Sequence, residues 1–235
     1  MDLKQVSDTL SFYIRPQTFP LALKLCQSES ELPEKVRIPV RDLGYQVALC
    51  QAIGMARHYR WTLAIGKEDQ CCIGGAVAIG FIAEPPEGFP APAEKRLEVG
   101  KYSHLLIAPI ETADFEPDVI VIYGNSAQVY RLVQAASPAT GQGISANASG
   151  GADCGDIVAR TVLSNECQFI LPSGGDRVFG STQDHEVVFT MPPDRVDAVL
   201  KALEDTHKAG FRYPILTDLR HRPALPPMLE IPKAT

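Results

Sequence analysis

A chain of 235 residues with 45% apolar and 21% charged residues is that of a folded globular protein, long enough to bury a core without disulfide or metal staples. A net charge of -6 and the lack of any long basic run exclude general binding to a nucleic-acid backbone; the densest basic patch, residues 220–223, reads as a solvated loop. No stretch approaches the ~18 continuous apolar residues of a membrane span. The first residues lack a basic-then-apolar leader pattern, so the cytoplasm is the expected compartment, where six cysteines are free, metal-bound or catalytic rather than bridged.

In chain order, residues 7–14 read as an opening helix and residues 20–26, alternating Leu21, Leu23 and Leu25, as a strand. A polar, proline-marked connection leads to a helix over 43–58, whose Leu43, Val47, Cys50 and Gly54 share one face. A strand over 61–66 precedes "QCCIGGAVAIGF", where Cys71 and Cys72 stand before a glycine turn at Gly74 and Gly75. Residues 83–96 hold four prolines and read as a loop of lid-like character. Residues 105–108 form a short strand and "PDVIVIYG" the clearest buried one. Asn125 and Ser126 then offer an N-cap for a helix over 126–136. Beyond a glycine- and serine-rich segment, 140–153, come a helix over 154–164, a strand over 168–171 and a second glycine turn at Gly174 and Gly175. A strand over 186–191 and a helix from 194 to 208 close the body.

These pieces imply an α/β fold, a mixed sheet with flanking helices, in one domain over residues 1–215 with a proline-rich tail over 216–235. Helix, strand, glycine turn, strand and helix recur, which suggests two pseudo-repeats, 41–137 and 152–210. If so, the two glycine turns face one crevice.

Cys50 lies on the apolar stripe of its helix. Cys154 stands at a helix start, where exposed N–H groups favour a thiolate. With Cys72 on the turn between them, three thiols converging from separate elements would suit an iron–sulfur cluster or a soft metal, three cysteines on a four-iron core leaving one iron open. No C-x-x-C occurs. Among the histidines, His185 is placed to approach Cys154 as a base. Arg177, after Gly174 and Gly175, can grip a carboxylate or phosphate through two hydrogen bonds.

Taken together, the helical Cys50, Cys72 before Gly74-Gly75, the helical Cys154 and Gly175-x-Arg177 resemble the domain of unknown function 169 family, found in bacteria and archaea. "FPLALKL" and "PDVIVIYGNSAQVYRLVQAA" resemble it too. The resemblance implies that Cys50, Cys72, Cys154 and Arg177 hold the family's characteristic positions; it carries no activity with it. Three readings stand. One is a cytoplasmic iron–sulfur or soft-metal protein, its metal on Cys50, Cys72 and Cys154, with a small anionic ligand at Gly74, Gly75, Gly174, Gly175 and Arg177. Another is a non-redox small-molecule binding module. The last is a thiol-dependent enzyme using Cys72 or Cys154.

Overall fold

A computed structural model describes residues 1–83, 85, 87–88, 93–141, 143–144, 146, 150–216, 225 and 229–230; side chains at 138–140 lie outside the description. The α/β reading holds. Helix α1 (Leu3–Tyr13) leads to strand β1 (Leu21–Cys26), helix α2 (Leu49–Tyr59), strand β2 (Leu63–Gly66), helix α3 (Ile73–Ile79) and strands β3 (His104–Pro109) and β4 (Val119–Asn125). Helix α4 (Ser126–Thr140) follows. A π-helical stretch, Gly155–Arg160, runs into α5 (Thr161–Ser164), then β5 (Gln168–Ile170), α6 (Gly174–Phe179), β6 (Glu186–Met191) and α7 (Pro193–Lys208).

The six strands form one sheet in the order β2-β3-β1-β4-β6-β5, every neighbouring pair antiparallel. Two-residue alternation gives it two buried faces. Leu21, Leu23, Val119, Val121, Tyr123 and Val188 point to one, under α2, α3 and the π-helical stretch. Ala22, Ile120, Ile122, Phe189 and Met191 point to the other, under α1, α4 and α7. A sheet covered on both sides reads as continuous apolar runs, which is why "VIVIY" stood out. Helix α7 shows the complementary logic: Val196, Val199 and Leu203, at helical spacing, are its buried residues, and Pro193 opens it.

Several boundaries move. The helix expected over 43–58 begins at Leu49, because Gly44 at φ 80° ends a separate π-turn, Pro39–Leu43. Both glycine pairs lie within short helices rather than turns: Gly74 and Gly75 in α3, Gly174 and Gly175 at the start of α6. Strands β2 and β5 take the two edges of the sheet, while β4 and β6 are central neighbours. Much of the proline-rich 83–96 loop, of the 140–153 segment and of the tail after 216 lies outside the described residues. Among the described residues no helix is long and apolar enough to cross a membrane.

Candidate functional site

Under the sheet face that carries Tyr123, the beginnings of α2 and of the π-helical stretch meet. Cys50 is in the first turn of α2, and Cys154 caps the π-helical stretch. Both are buried in one apolar cluster, and partly buried Cys72, the residue before α3, packs against the same cluster. The Cys154 thiol lies close enough to Cys50 to interact with it. That contact, then burial and the charges of Asp153 and Asp176, push it well above the ordinary thiol range, so it rests as a neutral thiol. Burial, with Cys72 beside it, also raises Cys71, which is exposed and within electrostatic reach of Cys50.

Two carboxylates stand beside this thiol pair. Asp153 accepts bonds from Ser173 Oγ (2.7 Å) and Ser173 N–H (3.0 Å), tying the entry of the Cys154 helix to the cap of α6. Asp176, in α6 and fully buried, accepts a 3.0 Å bond from the Tyr123 hydroxyl, while its Oδ1 has no partner. Burial and the Asp153 charge raise the Asp176 carboxyl to about 7. Burial and the Asp176 charge likewise raise the Tyr123 phenol well above its usual value.

Behind them lies a buried ion pair. The Arg57 guanidinium donates to both Glu186 oxygens (2.8 and 3.1 Å) and to Thr182 Oγ1 (3.0 Å), and stacks 4.0 Å above the Tyr123 ring. Burial alone would raise the Glu186 carboxyl, but the bonds from Arg57 and the Gln183 N–H hold it below the usual range. Close backbone approach makes the arrangement possible. A methyl on Gly54 would sit 2.6 Å from the Gly180 carbonyl oxygen, and one on Gly180 would meet Asp176 Oδ1.

A family described as uncharacterised ArCR, domain of unknown function 169, matches residues 9–202. The chain belongs to this family. A curated protein of Methanocaldococcus jannaschii, itself named as uncharacterized, is 28% identical over 205 residues, 78% of this chain and 86% of that relative. No solved structure matches the chain.

The residues singled out by sequence fall into two groups. Cys50 and Cys154 are neighbours in the core beneath one face of the sheet, and Cys72 packs against the same core. Gly75 belongs beside them: a side chain there would lie 2.7 Å from Leu49 Cβ and 2.8 Å from Gln70 Nε2, and Gly74 is buried in the same helix. Gly174 instead borders open space, a side chain on Gly175 would lie 3.6 Å from Ser173 Oγ, and the Arg177 guanidinium donates to the Gln183 carbonyl (2.9 Å) and lies 3.7 Å from Asp184. His185 is exposed in the chain segment before β6, whereas Cys154 is buried. Among the described residues no group of three or more His, Cys, Asp or Glu is placed to hold a metal ion.

Sequence reasoning missed Arg57, Tyr123, Asp153, Asp176 and Glu186. One signal was available. Arg57 follows Cys50 and Gly54 along one side of α2, a cation on an otherwise apolar stripe, and a buried arginine demands an acid. Gln70, beside Cys71, was also missed; it is buried with neither amide oxygen nor nitrogen partnered.

Proposed function

We propose that this chain is a cytoplasmic soft-metal protein centred on cysteine, with Cys50 and Cys154 as donors, Cys72 as the third thiol and an iron–sulfur cluster as the group they hold. The contact between the Cys50 and Cys154 thiols, brought from separate helices into one buried cluster, carries the reading. Thiolate sulfur is a soft donor and selects iron–sulfur cores or thiophilic ions. A cluster carries its iron on separate corners, so its ligands need not converge on one point as those of a single ion must. The six free cysteines fit a reducing compartment.

Charge supports the same guest. The Cys50 contact and burial, then the charges of Asp153 and Asp176, push Cys154 toward its protonated form; burial, then the Asp153 charge, does the same to Asp176. A metal core entering there exchanges for thiol protons and offsets those charges. The same carboxylates weigh against an anion at the thiols; a small anionic ligand would sit outward, in the open space at Gly174 beside Gly175. When bound, a cluster supplies electron transfer or an open Lewis-acid iron. The chain's own part is to exclude water with the apolar wall around Cys50 and Cys154, and to hold Asp176 in place through Tyr123.

Protein isolated without oxygen should retain iron and acid-labile sulfide and show visible sulfur-to-iron absorption. Cys50→Ser and Cys154→Ser should lose both while keeping the far-ultraviolet dichroism of the parent. An anaerobic preparation free of metal and sulfide, which also takes up neither on reconstitution with ferrous iron and sulfide, would overturn the reading.

A further inference from the structure

On the opposite face of the sheet, where α1, α4 and α7 end or begin together, positive charge collects without acid. Arg131, on α4, is 1% exposed. Its guanidinium donates to Thr206 Oγ1 (3.0 Å), to the Leu203 carbonyl (3.4 Å) and to Gln134 Oε1, and its Nε has no partner. No carboxylate pairs with it among the described residues. Burying an arginine without an acid is costly, and neutral oxygens at the end of α7 compensate only part of that cost.

Three more cationic or protonatable groups surround the same spot. Arg212 donates from Nε to the His207 carbonyl (3.4 Å), one residue past Thr206. The carbonyl of Arg15, at the end of α1, accepts from Gln128 Nε2 (2.6 Å), one turn before Arg131 on α4. The His207 ring packs edge-on against Tyr13 (4.9 Å) and beside Phe12 (5.9 Å), which is 60% exposed. Burial first, then Arg212, Arg131 and Arg15 depress the His207 imidazole, and no carboxylate opposes them. The nearby acids of α7 are engaged elsewhere, Glu204 with Lys208 and Asp205 with Lys201. In a chain of net charge -6, such a spot is an exception.

We propose that Arg15, His207 and Arg212, backed by the buried charge of Arg131 and flanked by the rings of Phe12 and Tyr13, form a binding site for a small organic anion, a phosphate or carboxylate carrying a flat ring. Arginine suits the planar or tetrahedral oxyanion, and exposed ring faces suit an aromatic body. The site is separate from Cys50, Cys72 and Cys154, which lie across the sheet, and does not depend on them.

The full chain would be titrated by calorimetry with adenosine monophosphate, benzoate and inorganic phosphate, each at an ionic strength matched with chloride. The ring-bearing anions should bind, and Arg15→Gln combined with Arg212→Gln, both exposed positions, should weaken them by about tenfold or more while the melting temperature without ligand stays put. Arg131→Gln should do the same, and the paired exposed variant keeps the test decisive if that protein fails to fold. Binding by inorganic phosphate alone, equal to that of the ring-bearing anions, would overturn the part assigned to Phe12 and Tyr13. No binding beyond the chloride control, or binding unchanged in the Arg15 and Arg212 variant, would overturn the site.

Discussion

At the scale of single residues, the Arg57–Glu186 pair and Asp176 define what the thiol site rests on. Removing one member of a buried, bidentate ion pair strands the other charge. Arg57→Ala should therefore cost about 3–5 kcal/mol of unfolding free energy by urea titration, whereas Arg57→Met with Glu186→Leu should recover most of it. Asp176 behaves oppositely, since its folded carboxyl is raised to about 7 from an ordinary value near 3.8. Between those values the folded protein holds a proton that the unfolded chain has released. Stability from this group is thus complete below the lower value and lost as pH rises toward the upper one, at up to about 1.4 kcal/mol per pH unit. Asp176→Asn should flatten the stability of metal-free protein between about pH 4 and about pH 7, measured as urea midpoints. An unchanged slope would mean that Asp176 is not the group that titrates.

At the scale of elements, the crossing of α2 and α6 is set by Gly54 and Gly180. Gly54→Ala forces a methyl against backbone rather than against a yielding side chain. It should cost about 1–3 kcal/mol and loosen the Cys50 surroundings, read as faster alkylation of that thiol under native conditions. Elements whose signal is local were legible in sequence. Strand β4 was read almost to its ends, and Asn125 does cap α4: its Oδ1 accepts from the Ala127 and Gln128 amides, and Gln128 reaches back to the Asn125 N–H. Elements whose cause is tertiary were not. Gly-Gly at 74–75 and 174–175 has poor intrinsic helix propensity, so a turn was the natural reading. Helix α3 forms where Gly75 packs against Leu49 and Gln70, a contact with no local signature. Cys50, Cys72 and Cys154 could be singled out because cysteine is rare and chemically specific. The Tyr123–Asp176 bond, between residues 53 positions apart, was not, since tyrosine in an apolar strand looks like any large core residue.

At the scale of the whole molecule, the sheet divides the chemistry. Thiols and their carboxylates lie beneath one face, and the acid-free arginines gather at the end of the other. The strands that terminate the sheet are its shortest: β2 has four residues and β5 three. Each offers few unpaired backbone groups to a neighbouring chain. Lateral growth, the route by which sheet proteins drift toward fibrils, thus starts from a foothold only a few residues wide on either side.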